Sequence, residues 1–286
     1  MTAGSDRLRA LLQRDGCLQA PGCYDAVSAL LLAKSGFQVA HLSGAIASAV
    51  ALGLPDLGYI HGSTIAEVAQ RVTSVIDLPV IADADTGYGN ALHARHTAEH
   101  YAHIGLAGLH LEDQVNPKRC GHMAGKEVID EREAAQKVRA VVEADTGLVV
   151  IARTDAMSVL GLQAAIDRAG LYHQAGADLV FLEGVTDAER LAEVSAALPQ
   201  CRFMVNVSEA DPHLQPLQPD ELAAFNVKIA LYPVAPLLSA AQALATLYQA
   251  IAKEGTAQSV TKLRWDELTD LLGQPALLDM ESRYSS

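Results

Sequence analysis

Short runs of apolar residues alternate along this chain with longer stretches in which apolar positions recur every three or four residues. The runs are CLQAPG, FQVAHLSG, LPVIADAD, AGLHLED, GLVVIARTDA, ADLVFLEG, RFMVNVSE and VKIALYP. Within each, the apolar residues are continuous and do not alternate with polar ones. That pattern belongs to parallel strands covered on both faces. Between the runs the spacing predicts helices: an amphipathic one in MTAGSDRLRALLQRDG, one closed by Gly36, and one near 63–76. Others follow over Ala91, Ala94, Ala98, Tyr101 and Ala102, then over 131–143, 162–175 and 187–197, with a long one over 235–253. Ser63 and Thr64, followed by Glu67, predict a capping box at the start of the 63–76 helix.

Polar residues fall at consistent places in this pattern. Ser43, Asp83 with Asp85, Glu112, Arg153, Glu183, Asn206 and Pro233 all stand at the carboxyl end of an apolar run. About eight strands alternating with about as many helices, with reactive side chains at most strand ends, is the arrangement of a (β/α)8 TIM-type barrel. A doubly wound open sheet would concentrate such residues near one switch point. No linker or change of composition divides the chain. The expectation is a single barrel domain over 1–286, with 255–286 as a C-terminal helical extension.

Composition narrows the picture. Half the residues are hydrophobic, enough for a sizeable core, and the net charge of −13 argues against nucleic acid or an anionic membrane as partner. A small anionic substrate stays compatible, because a site's local potential need not follow the net charge. No apolar run has the length needed to span a bilayer. The first residues read as a helix and not as an export signal. Cys17, Cys23, Cys120 and Cys201 form no CxxC pair, so they are expected to be reduced thiols in a cytoplasmic protein.

The candidate chemistry sits at the strand ends. Asp83 and Asp85 place two carboxylates side by side, a conflict that a hard divalent cation removes; oxygen donors alone favour Mg²⁺. Asp56 and Glu112 are further candidate ligands, directly or through water, although any of these acids could instead cap a following helix. The GYGN after Asp85 lacks the spacing of a dinucleotide fingerprint. The stretch LHLEDQVNPKRCGHMAGK puts Cys120 among Lys118, Arg119, Gly121 and His122. Cations beside a thiol lower its pKa, and a glycine lets the backbone approach a ligand. Arg153 needs a carboxylate: a substrate's, or a structural partner in Glu183 or Asp155. Asn206 and Ser208 are candidate donors to a second carboxylate, or simple strand-end hydrogen bonders. His41 and His110 read as hydrogen-bonded barrel residues. Cys17, Cys23 and Cys201 read as small apolar fillers. Trp265 is an interface anchor or part of a lid.

Together KRCGH, DADTGYGN, LEDQ, IARTDA and the segment around Asn206 resemble the isocitrate lyase and phosphoenolpyruvate mutase superfamily, over roughly the span from Leu8 to Tyr284. The resemblance implies a (β/α)8 barrel with its last helix swapped between subunits of a homotetramer. It also implies Mg²⁺, with Mn²⁺ as a substitute, and a small 2-hydroxy- or 2-oxo-acid substrate. By position, Asp85 would bind the metal directly, with Asp56, Asp83 and Glu112 around it through water. Ser43, Gly44 and Ala45 would cradle a pyruvate-like unit with Arg153. Cys120 would be the catalytic thiol, on a loop that closes over the substrate. Gly121, His122, Glu183 and Asn206 would hold the departing carboxylate, and Ser208 stands where methylisocitrate lyases have threonine.

The chain departs from the methylisocitrate lyase pattern in several places. Leu238 and Trp265 stand where arginines are expected, with Arg264 beside the latter, and His41 stands where many members have tyrosine. The carboxyl end and the KRCGH loop look closer to the 2,3-dimethylmalate lyase and petal death protein branch. The phosphorus-transferring branches lack the thiol, and hydrolytic members tend to have serine where Pro233 stands. The resemblance therefore implies retro-Claisen cleavage of a 2-alkylmalate to pyruvate and a short carboxylate, with Cys120 moving the proton and Arg119, His122 and Asn206 offsetting enolate charge. Methylisocitrate cleavage, oxaloacetate hydrolysis and a catalytically silent binding barrel are the alternatives.

Overall fold

A computed structural model describes residues 3–209 and 215–285. In chain order the elements are α1 (Ala3–Leu12), β1 (Leu18–Pro21), α2 (Ala26–Lys34), β2 (Ala40–Leu42), α3 (Gly44–Leu52), α4 (Gly62–Thr73), β3 (Val80–Asp83) and α5 (Ala91–His103). Then come β4 (Gly108–Glu112), α6 (Glu131–Val142), β5 (Val149–Thr154), α7 (Met157–Leu160), α8 (Leu162–Gln174), β6 (Leu179–Leu182), α9 (Ala188–Ala197) and β7 (Phe203–Asn206). The chain ends with α10 (Pro219–Ala223), β8 (Val227–Tyr232), α11 (Ala235–Glu254), α12 (Trp265–Leu271) and α13 (Gln274–Tyr284). The eight strands are parallel and run in the order β1-β8-β7-β6-β5-β4-β3-β2. A bridge from Gly22 to His41, with the Cys23 N–H donating to the His41 carbonyl at 2.9 Å, joins β1 to β2 and closes the (β/α)8 barrel.

The two-residue period of a strand sorts its side chains into two cores. Val39, Ile81, Val149, Ile151, Met204 and Ile229 pack together inside the barrel. Their neighbours Ala40, Ala82, Val150, Ala152, Val180 and Ala230 pack outward against the helices. This is why the runs are apolar without alternation: both faces are buried. Continuing the inner register towards the carboxyl ends gives His41 and Ser43, Asp83, His110 and Glu112, Arg153, Glu183, Asn206 and Pro233. The polar strand-end residues therefore converge on one rim, with the packed interior below them.

The capping box expected at Ser63 and Thr64 does not form. Helix α4 starts earlier, with His61 as its N-cap and no side-chain cap bond. Real caps stand elsewhere: the Asn90 side chain accepts from Leu92 and His93, and that of Asp130 from Arg132 and Glu133.

Candidate active site

Strand β3 delivers Asp83 to the rim, and the chain turns at once into Asp85, whose φ of 43° is left-handed. Asp83 Oδ1 accepts the Asp85 N–H at 2.9 Å, and its Oδ2 accepts the Gly44 N–H at 3.2 Å. A Cβ on Gly44 would lie 2.9 Å from Asp83 Oδ2 and 3.1 Å from Asp85 Oδ1. Glycine at the start of α3 thus makes the room in which the two acids sit.

The loop after β4 lays an ammonium on this cluster. Lys118 Nζ is 2.8 Å from Asp56 Oδ2 and 2.8 Å from Asp85 Oδ1, with its side chain buried. Burial opposes the charge on Lys118, but the carboxylates around it, Asp85 foremost, hold its pKa well above the ordinary value. The cluster is still short of positive charge. Burial pushes the Asp85 carboxyl up to about 7, against Lys118, and pushes Glu112 well above the usual carboxylate range, against Arg153 and Lys118. Both Glu112 oxygens and Asp56 Oδ1 are buried and accept no hydrogen bond. Such unmet oxygen acceptors fit a hard divalent cation in donor chemistry and in charge. Among the described residues, however, no three His, Cys, Asp or Glu side chains are gathered as a ligation sphere.

Arg153, expected to take either a substrate carboxylate or a structural partner, is held by three acids of the protein. Its Nε and Nη2 grip Asp155 at 2.9 and 3.0 Å, and its Nη1 and Nη2 stand 3.4 Å from Glu112 and Glu183 respectively. The guanidinium also lies over the Phe181 ring, 5.2 Å from its centroid. Beneath the rim His41 Nε2 meets His110 Nε2 at 2.9 Å. A contact between two ring nitrogens requires one N–H and one lone pair. Burial lowers the two pKa values to about 3 for His41, helped by the His110 ring, and to about 4 for His110, against the Asp83 carboxylate beside it.

The thiol loop closes over these groups. The Gln114 amide clasps Arg119, accepting its N–H at 2.9 Å and donating to its carbonyl at 2.8 Å. The Cys120 N–H donates to the Asp56 carbonyl at 3.1 Å. A Cβ on Gly121 would fall 2.6 Å from Arg153 Nη2 and 2.8 Å from Glu183 Cδ, so the backbone there rests directly on the rim. The expected acidification of Cys120 is reversed: burial raises the thiol pKa above the ordinary value, and the Asp56 charge adds to it. The His122 backbone N–H, and after it Lys118 and Arg153, act the other way but are outweighed. The thiol is held protonated.

What remains between loop and rim is a cavity of about 50 Å³. Of the expected site residues, Ser43, Ala45, Asp56, Asp83, Cys120, Gly121, His122, Arg153, Glu183 and Asn206 line it. Gly44, Asp85 and Glu112 stand behind that lining, in contact with it through Asp83, Lys118 and Arg153. Arg119 does not face the cavity: it is exposed, its Nη1 donating at 3.4 Å to the Ala124 carbonyl of its own loop, so it offsets no charge at the site. Ser208 is buried but is not part of the lining. Leu238 and Trp265 lie on the outside, 52 % and 77 % exposed, and neither forms a wall of the cavity in this chain. The residues that sequence reasoning passed over are Lys118 as the counter-ion of the acids, Lys126, and Asp113. The Asp113 carboxylate accepts from Thr154 Oγ1, Arg168 Nη1, Tyr172 Oη and the Asp155 N–H. Adjacency to Glu112 was the available sign, since consecutive strand residues point to opposite faces.

Fold and site together define a (β/α)8 barrel in which acids, a lysine and an arginine converge on the carboxyl rim beneath a thiol-bearing loop. The chain belongs to the phosphoenolpyruvate mutase and isocitrate lyase superfamily, and the phosphoenolpyruvate phosphomutase family model matches residues 8–252. The 2,3-dimethylmalate lyase of Eubacterium barkeri is 33% identical over 287 residues, covering 98% of each chain. The 2-methylisocitrate lyase of Salmonella typhimurium is 39% identical over 260 residues, covering 88% of this chain and 86% of that one. The structure of oxaloacetate acetylhydrolase with the inhibitor 3,3-difluorooxalacetate superposes with a TM-score of 0.93 at 31% identity, over 99% of this chain and 98% of the other.

Proposed function

We propose that this protein is a Mg²⁺-dependent carbon–carbon lyase that cleaves a 2-hydroxy dicarboxylate of the alkylmalate type, such as 2,3-dimethylmalate, to pyruvate and a short carboxylate. The observation that carries the proposal is the cavity of about 50 Å³ on which the protonated Cys120 thiol, Arg153 and the acid cluster converge. Asp85, Asp83, Asp56 and Glu112 would hold the metal, which when bound supplies a Lewis acid for the oxygens of a 2-hydroxy acid. Ser43, Gly44 and Ala45, at the start of α3, would bind the pyruvate-like end beside Arg153. His122, Gly121, Glu183 and Asn206 would hold the other carboxylate. The 2-hydroxyl would give its proton to a carboxylate of the acid cluster as C2–O becomes the pyruvate carbonyl; the C2–C3 electron pair passes into the carboxylate enolate of the leaving fragment, and Cys120 delivers its proton to that carbon. The loop excludes the water that would otherwise quench the enolate.

The choice of a dicarboxylate rests on the lining itself. Lys118 and Arg153 are the Lys or Arg side chains on the cavity, and both already face acids of the protein. A third substrate carboxylate would lack a cationic partner there. A charge-assisted hydrogen bond is worth about 1.5–3 kcal/mol, roughly ten- to a hundredfold in specificity. The structural likeness to oxaloacetate acetylhydrolase favours a second reading, hydrolysis of oxaloacetate. Against it, Pro233 on the cavity wall offers no hydroxyl to orient a water. The test is product analysis on purified protein over a panel of alkylmalates, 2-methylisocitrate and oxaloacetate, before and after chelation. Pyruvate should form fastest from an alkylmalate, and activity should vanish with chelator and return with Mg²⁺. Faster cleavage of 2-methylisocitrate than of every alkylmalate would overturn the substrate class, and full activity without metal would overturn the cofactor.

The same proposal extends to assembly as a homotetramer with exchanged C-terminal helices. Of the twenty residues of α11 only Ala250 is buried, while Leu238, Leu244, Tyr248 and Ile251 are exposed. Trp265, Leu277, Leu278, Met280 and Tyr284 continue the exposed apolar surface onto α12 and α13. A helical segment with this much uncovered apolar area fits burial against another copy of the chain.

A further inference from the structure

Asp155 lies just beyond β5 with no exposed surface. One of its oxygens is shared. Oδ1 accepts from Arg153 Nη2 at 3.0 Å, and the Lys126 ammonium stands 3.2 Å from the same atom. The Lys126 ammonium also donates to the carbonyl of Gly121. A continuous line of polar contacts thus runs from the loop backbone beside Cys120, through Lys126 and Asp155, to the guanidinium at the rim.

The two ends of this line differ in firmness. Asp155 is anchored from behind: its N–H donates to Asp113 Oδ1 at 2.9 Å, and Asp113 is itself held by Thr154, Arg168 and Tyr172. The loop end is exposed over 122–125, and Lys126 is the buried exception, its side chain 4% exposed. Placing an ammonium there carries a desolvation cost that only its two acceptors offset. The opposite end of the same loop is held in the same manner by Lys118 on Asp56 and Asp85.

We propose that Lys126 is a positioning residue: by tying the Gly121 carbonyl to Asp155 it sets the Cys120–Gly121 segment in register with the Arg153 guanidinium. Lys126 itself touches no reacting atom. Its catalytic consequence rests on the lyase reading above, whereas its consequence for the loop does not.

Two measurements on Lys126→Met and Lys126→Arg test it. In the ligand-free protein, trypsin cleavage after Arg119, followed by mass spectrometry, should be at least ~10-fold faster in Lys126→Met, because cleavage tracks the population of the open loop. The global unfolding midpoint should stay near that of wild type, and Lys126→Arg should return cleavage towards the wild-type rate. In turnover, Lys126→Met should lower kcat by about 10²-fold, the scale of a small misplacement of reacting groups, with a much smaller change in KM. Unchanged cleavage after Arg119 in folded Lys126→Met overturns the proposal, and so does faster cleavage with kcat intact. If wild type turns over no 2-hydroxy diacid, the lyase reading fails and the cleavage comparison alone judges the latch. If Lys126→Met does not fold, Lys126→Gln is put through the same measurements.

Discussion

Cys120 carries its proton because the tertiary structure takes the thiol out of water and sets the charge of Asp56 near it, while Lys118 faces other acids. A raised thiol pKa suits a group that must give a proton to a forming carbanion. Cys120→Ser keeps the shape but offers a far weaker acid. It should lose at least ~10²-fold in kcat with little change in substrate binding. A companion titration of Cys120 alkylation should show the rate rising with pH at a higher midpoint than for free cysteine. A variant within a few-fold of wild type, or a lower midpoint, would assign the proton to another group.

At the scale of elements, the loop between β4 and α6 is shaped by close approaches and not by its own regular structure. Gln114 clasps Arg119, the Lys118 and Lys126 ammoniums reach inward near its ends, and Gly121 rests on Arg153 and Glu183. A methyl group on Gly121 has no space in that arrangement, since its neighbours are the Arg153 guanidinium, which Asp155 and Glu112 already hold, and the Glu183 carboxylate. Gly121→Ala should therefore hold the loop off the rim and lower kcat/KM by about 10²-fold, without a comparable loss of fold stability. Steady-state kinetics beside a thermal melt decides it. Wild-type kinetics would mean that the loop closes in another way.

For the molecule as a whole, the C-terminal helices have an apolar surface and little burial within their own chain. Ending the chain after Glu254 should convert the assembled protein to smaller species in analytical ultracentrifugation. It should also lower the unfolding temperature and remove its dependence on protein concentration. An untruncated chain that sediments as a monomer would refute the assembly. Within one chain Leu238 and Trp265 are exposed and form no wall of the cavity.

The alternation of continuous apolar runs with helical spacings determined the barrel, because parallel strands need cover on both faces, and the helices between them cover one while the closed barrel covers the other. The strand period then determined which polar residues share the rim: Ser43, Asp83, Glu112, Arg153, Glu183 and Asn206 follow inward-facing residues at steps of two. Loop residues obey no such period, and there the tertiary structure decided. Arg119 and Lys118 are neighbours in sequence, yet one points to solvent and the other into the acids, because the path of the loop and the Gln114 clasp set their directions. The capping box at Ser63 failed because the N-cap of α4 falls two residues earlier, at His61. The acidity of Cys120 was misread from its neighbours because sequence shows adjacent charge but not burial. Burial is a property of everything that folds around the thiol, and here it outweighs the cations beside it.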